Sequence, residues 1–232
     1  MNILALDTAG EVLSLALDGE SGLWYIEADA GSRHSELLME CIDTLCKRAD
    51  IAPSNLDRIA CMKGPGSFTG LRIGFSVAKG LALALGIPCT AVPTLDCIAH
   101  PLSFCSGIIV PAIDAKKGCF FTALYRKGKR LTDYMDAAPQ TIAEELARQQ
   151  LTGEETITLS GCGADLLSSR LMPDFPGRIN VDTNARKGSA KELLKIVKGT
   201  IMSVDTSAPM EDTTALQPVY LRKSDAELNA KK

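Results

Sequence analysis

NILALDTAGEVLSLALDGESGLWYIEA (residues 2–28) holds three apolar runs separated by turn-forming residues. Asn2 to Asp7 is the first, Val12 to Leu17 follows the turn-prone Ala9-Gly10, and Leu23 to Ala28 follows Asp18-Gly19-Glu20-Ser21-Gly22. Two turn signals at this spacing predict three successive antiparallel strands. The outline returns later in the chain. Ile108 to Ile113 predicts a strand ending at Asp114, as the first ends at Asp7. Gly118 separates it from Cys119 to Tyr125, and Lys127-Gly128-Lys129 leads to a third run near Leu131 to Met135. Helices and strands alternate after each meander. The simplest architecture is therefore a duplicated α/β unit, with one lobe in residues 1–104 and a second in residues 105–232.

Between the meanders, Ser32 is the expected N-cap of a helix. Its apolar residues Leu37, Leu38, Cys41, Ile42, Leu45, Cys46 and Ala49 recur at helical spacing, and Pro53 stops it. Leu56 to Met62 predicts a strand that runs into the glycine-rich residues 63–70. A second helix from Thr69 to Leu85 is apolar around almost its whole circumference, so burial on several sides is expected. Gly86 and Pro88 end it. Cys89 to Val92 predicts a strand, and Leu95 to Ala99 a short helix. In the second half, helices are expected over 139–149, 163–171 and 189–201, with a strand over 156–160. The tail from Ser203 carries Gln217-Pro218-Val219-Tyr220-Leu221-Arg222 and then a polar end, expected to fray.

Composition narrows the function. The 232 residues are 46% hydrophobic, enough for one large core or two modest ones. A net charge of −3, from 25 basic and 28 acidic residues, leaves no basic excess for strong independent binding of nucleic acid. The longest apolar stretch, around Gly80 to Val92, is too short and too rich in Gly and Pro to span a bilayer, so no membrane association is expected. The opening run Ile3 to Leu6 meets Asp7 at once, unlike a signal peptide. Eight cysteines occur without any C-x-x-C pair. Cys61, Cys89 and Cys119 sit in or beside apolar runs, where free thiols act as small hydrophobes. Free buried thiols suit a reducing, cytoplasmic compartment.

Several residues are candidates for chemistry. Asp7-Thr8-Ala9-Gly10 is either a capped turn or a degenerate phosphate corner, in which the carboxylate would hold the water shell of a metal. The loop Gly64-Pro65-Gly66-Ser67-Phe68-Thr69-Gly70, with Arg72 beyond it, opens a helix. It is either an anion cradle or a tight connection capped by Ser67 or Thr69. Its glycine spacing fits neither a Walker loop nor a dinucleotide fingerprint. Only two histidines exist, His34 and His100, and neither has a second imidazole at metal-binding spacing. His34 reads as a helix-start residue with one ring nitrogen hydrogen-bonded, and His100 as loop. Ser67 lacks an assignable His and Asp partner. Asp114, beside Lys116 and Lys117, is a polar strand end or a solvated turn. The apolar faces of the first two helices serve the core or a partner.

With those residues in view, Leu4-Ala5-Leu6-Asp7-Thr8-Ala9, residues 64–74 (GPGSFTGLRIG), residues 78–88 (AKGLALALGIP), Pro93-Thr94-Leu95, Ile113-Asp114-Ala115 and Pro218-Val219-Tyr220-Leu221-Arg222 together resemble the bacterial TsaB family of tRNA threonylcarbamoyladenosine biosynthesis proteins, also labelled glycoprotease-like. The resemblance covers essentially the whole chain. It implies an actin/hexokinase-like, duplicated (ribonuclease H-like) two-lobe fold with a degenerate nucleotide site at Asp7 and Thr8. It implies a non-catalytic scaffold or activator that pairs with the catalytic homologue TsaD and the ATPase TsaE and reaches tRNA through that complex. No cofactor is then expected on the chain alone, while the complex uses ATP and a metal held by the partner's histidines. The family pairs, with itself or with its partner, through its first two long helices. Here these carry Leu37, Leu38, Cys41, Ile42 and Leu45, then Ile73, Val77 and Leu81. The alternatives are an actin-like ATP-dependent small-molecule kinase using Asp7 and Asp114, or a glycoprotease-like peptidase.

Overall fold

The computed structural model describes residues 1–20, 22–152, 155–183, 189–203, 213 and 215–222. The expected first meander forms as β1 (Ile3–Asp7), β2 (Val12–Gly19) and β3 (Gly22–Asp29). Helix α1 (His34–Ala49), β4 (Arg58–Gly64), α2 (Phe68–Leu85), β5 (Cys89–Pro93) and α3 (Thr94–Ala99) follow. The sheet order is β3-β2-β1-β4-β5, antiparallel among the first three strands and parallel from β1 through β4 to β5. β1 is buried at every residue. Leu4 and Leu6 face one core with Leu13, Leu15 and Leu17, while Ile3 and Ala5 face another with Ala16. Burial of both faces is why this strand reads as a continuous apolar run.

The second unit repeats the plan with β6 (Ile108–Asp114), β7 (Phe120–Thr122), β8 (Tyr125–Arg126), β9 (Lys129–Arg130), β10 (Met135–Ala137), α4 (Pro139–Arg148), β11 (Ile157–Ser160), α5 (Ala164–Leu171) and β12 (Ile179–Val181). Its order, β10-β7-β6-β11-β12, matches the first sheet strand for strand, with β6 in the place of β1. Helices α4 and α5 cover one face through Ile142, Leu146, Leu167 and Leu171. The last helix, α6 (Ala190–Ser203), packs on β1, β2, β4 and β5. This duplicated sheet with parallel and antiparallel halves is the expected actin-like, two-lobe α/β fold.

Four details differ from the sequence reading. The compact units are Met1–Cys97 with Lys187–Val219, and Ile98–Arg186 with Tyr220–Lys232, instead of a single cut after residue 104. The cause is α6, whose Leu193, Leu194 and Val197 fill the second core of the first sheet. The expected strand over 119–125 splits into β7 and β8, because Ala123 and Leu124 turn inward and are fully buried. The third run of that meander starts at Met135 instead of near Leu131. Finally, α2 is not buried on several sides: Ser76, Gly80, Leu83 and Ala84 are exposed. α2 is long and apolar enough to cross a membrane by composition, yet its inner residues Leu71, Phe75, Ala78 and Ala82 pack against the sheet.

Candidate functional site: a strand corner and an outer helix face

Asp7 closes β1 and is 5% exposed. One oxygen accepts the Ala9 N–H at 3.0 Å and the other accepts the Ser189 N–H at 2.8 Å. Ser14, paired with Asp7 across β1 and β2, accepts the Ala190 N–H at 3.0 Å. Ser189 precedes α6 and Ala190 is its first residue, so two side chains of the sheet satisfy amides that the helix itself leaves open. Burial raises the Asp7 pKa above the ordinary 3.8, while the two amides and the nearby His34 oppose that rise.

The glycine-rich segment packs directly on this corner. Ser67 donates its N–H to the Ala9 carbonyl at 2.8 Å, and its hydroxyl caps α2 by accepting the Gly70 N–H at 3.2 Å. Thr8 donates its hydroxyl to the Gly70 carbonyl at 2.7 Å. A β-carbon on Gly66 would stand 2.5 Å from the Ala9 carbonyl oxygen, and one on Gly70 or Gly74 would collide with Thr8. Three glycines four residues apart therefore form the bare stripe by which α2 meets the β1–β2 turn. Of the two readings open from sequence, this geometry is the tight connection. Gly64 borders the tail, where Val219 donates to the Lys63 carbonyl at 2.7 Å. Thr69 and Arg72 remain at the surface, and the Arg72 guanidinium lies 3.8 Å over the Phe68 ring.

The candidate partner residues divide. Leu38, Ile42 and Leu45 lie in the core at 5% exposure or less, with Cys46 and Ala49, so they hold α1 to its own sheet. They cannot also serve a partner. Leu37 and Cys41, one position round the helix, are half-buried at the core's margin, as are Ile73, Val77 and Leu81 on α2. On α2, Gly80, Leu83 and Ala84 extend the apolar surface outward, and sequence reading missed them as surface residues; Met39 is also exposed, but on the opposite flank of the α1 core stripe from Leu37. The 100° step of the helix carried the signal: 38, 42, 45 and 49 form one narrow stripe.

The other candidates lie apart or make local contacts. His34 is the first residue of α1, 4% exposed, and its Nε2 has no hydrogen-bond partner among the described residues. The expected N-cap Ser32 lies outside the helix, which Arg33 precedes without a side-chain cap. His100 begins a short 3-10 turn. Among the described residues no three potential metal ligands come together. None of the eight cysteines is in a disulfide. Contact with Cys89 and burial push the Cys61 thiol well up, and burial does the same to Cys97, which keeps both protonated and poorly nucleophilic. Asp114 accepts the Lys116 N–H at 2.8 Å and its ammonium at 3.0 Å, a local turn.

Two sheets on one strand plan, each with an aspartate closing its first strand, define a duplicated, actin-like α/β fold. The chain belongs to the family described as TsaD: tRNA N6-adenosine threonylcarbamoyltransferase, whose model matches residues 28–229. Among its relatives, the TsaB protein of Bacillus subtilis is 38% identical over 54% of this chain, a stretch that spans only 56% of that relative. The TsaB protein of Escherichia coli is 27% identical over 97% of this chain and 96% of its own length. The structure named YeaZ from Pseudomonas aeruginosa is 25% identical, covers 95% of this chain and 99% of its own, and superposes with a TM-score of 0.76. These matches bear out the TsaB resemblance and the fold it implies.

Proposed function

We propose that this chain is a cytoplasmic, non-catalytic scaffold and activator subunit of the assembly that transfers a threonylcarbamoyl group to the adenosine adjacent to the anticodon of tRNAs. The names carried by its relatives point to that pathway. The single observation that carries the scaffold role is the apolar outer face of α2, where Ile73, Val77 and Leu81 are half-buried and Gly80, Leu83 and Ala84 are exposed. Small residues at 80 and 84 let a second helix approach closely, and covering the strip gains about 25 cal/mol per Å² of apolar surface. In this reading a TsaD-like catalytic subunit covers the face, or a second copy of the chain does so in its absence. A TsaE-like ATPase completes the assembly, and tRNA is reached through the complex. ATP and the metal belong to the partners.

The kinase alternative needs Asp7 free to face a metal's water shell, but both its oxygens are engaged by backbone amides. The peptidase alternative needs a reactive thiol or a metal, and the shifted thiols are all moved away from reactivity. Reconstitution tests the proposal. The chain alone should not modify tRNA, whereas its mixture with a TsaD-like subunit, a TsaE-like ATPase, ATP and threonylcarbamoyl-AMP should. Comparable turnover by the lone chain would end the scaffold reading.

A further inference from the structure

We propose that the β8–β9 hairpin, together with Phe104 and Tyr134, is an RNA-contact surface on the second unit. This extends the tRNA reading above to named residues and rests on that reading for the choice of tRNA. Four of the five residues from Arg126 to Arg130 are basic, in a chain whose net charge is −3. Arg126 is half-buried and pairs with Glu155 at 3.4 Å. Lys127, Lys129 and Arg130 are exposed and form no ion pair among the described residues, although Lys127 acts on Glu155 at longer range. Three unneutralised cations on one short hairpin suit a row of phosphates.

The backbone presents them rigidly. Arg126 pairs with Lys129 across a two-residue turn, and Lys127 and Gly128 have φ of 50° and 73°. Such turns favour Asn or Asp before Gly, so a lysine there sits in a sparsely populated conformation that holds its side chain at the tip. The tip is backed by the segment before β6: a β-carbon on Gly128 would lie 3.3 Å from the Ser103 β-carbon. The next residue, Phe104, is 84% exposed. On the other side, the Arg130 guanidinium lies 4.0 Å over the Tyr134 ring. Cations flanked by an open aromatic face and a stacked guanidinium match unpaired RNA, where phosphates meet charge and splayed bases stack on flat groups. An acidic protein would use the cations but has no need of the exposed ring.

Fluorescence anisotropy with a labelled unmodified tRNA and its anticodon stem-loop tests this on the full chain at low salt. The variant Lys127→Ala/Lys129→Ala/Arg130→Ala should bind at least ~10-fold more weakly, with a salt dependence flatter by about 2 in log–log slope. Phe104→Ala should lose roughly fivefold with the slope unchanged. A control, Arg148→Ala/Arg170→Ala/Lys195→Ala, removes the same charge elsewhere and should lose less than about threefold. Equal weakening of the two triple variants, or no binding by the wild-type chain, overturns the proposal. So does a hairpin variant that keeps tRNA but loses the TsaE-like ATPase, which would make the surface a protein contact. Pull-down of the TsaD-like subunit, run in parallel, reports on the scaffold reading independently, because the hairpin variant should leave it intact.

Discussion

Asp7 and Asp114 close the same strand of two lobes built on one plan, and they have opposite surroundings. Asp7 is buried and holds amides of Ala9 and Ser189, the latter 182 residues away. Asp114 keeps 28% of its side chain exposed and, among the described residues, holds only its neighbour Lys116. The helices that follow repeat the contrast. Gly70 and its fellows press α2 onto Thr8 and Ala9, whereas Gly163 at the start of α5 would place a β-carbon 2.9 Å from the Asp114 nitrogen, a looser fit. In the first lobe this corner is a structural joint, tied to the start of α6 through Asp7 and to α2 through Thr8. The outer face of α2 is the part of that lobe that we propose a partner covers.

The largest break in this comparison should come from glycine. Gly70→Ala drives a methyl group into the Thr8 carbonyl and should cost about 3–5 kcal/mol or prevent folding. Gly163→Ala should cost about 1–2 kcal/mol, because its neighbour needs to shift less. Urea unfolding of both variants checks the order, and equal losses would mean that the two corners are equally tight.

The aspartates come next. Asp7→Ala leaves buried amides without an acceptor and should cost about 2–3 kcal/mol, against under about 1 kcal/mol for the partly exposed Asp114→Ala. Their pH dependences should have opposite signs. Burial raises Asp7, so its contribution is complete below the ordinary 3.8 and is lost as pH rises through the elevated value. Burial also pushes Asp114 upward, but the Lys116 ammonium and amide outweigh it and hold the carboxyl below 3.8. Its contribution is present above 3.8 and is lost as pH falls through the lowered value. In melting curves against pH, Asp7→Asn should therefore gain on the wild type toward neutral pH. Asp114→Asn should flatten the acid limb instead. Parallel shifts in the two variants would contradict the assignment.

The smallest effect expected is at the margin of α1, and it is read against a core residue of the same helix. Leu38→Ala should cost about 2–5 kcal/mol, as a cavity in the core. Cys41→Ser, at the margin, should stay within about 1 kcal/mol by thermal melting. A reversal would return Leu38 to the candidate interface.

Much of this was legible from residue patterns, because local rules govern it. The two turns in residues 2–28, the stop at Gly86 and Pro88, and the apolar stripe of α1 are each set within a few residues. The rest depends on distant contacts. No window of sequence joins Asp7 to Ser189 or sends α6 back to the first sheet. β12 is three residues long with Asn180 at its centre, too short for an alternating pattern to register. The glycines at 66, 70 and 74 were visible, but whether a phosphate or Thr8 filled the space beside them required the fold. Leu37 and Leu38 look alike in composition, and the packing of α1 on β2 and β3 decides which one is core.

The most direct test of the account is mass photometry of the chain mixed with a TsaD-like subunit, comparing wild type with Val77→Glu. A charge at the half-buried Val77 is tolerated beside water and costly in a dry interface. The account predicts a wild-type heterodimer and no heterodimer with Val77→Glu, whose melting temperature stays close to that of the wild type. A variant that pairs as tightly as the wild type would show that the outer face of α2 is not where the partner sits.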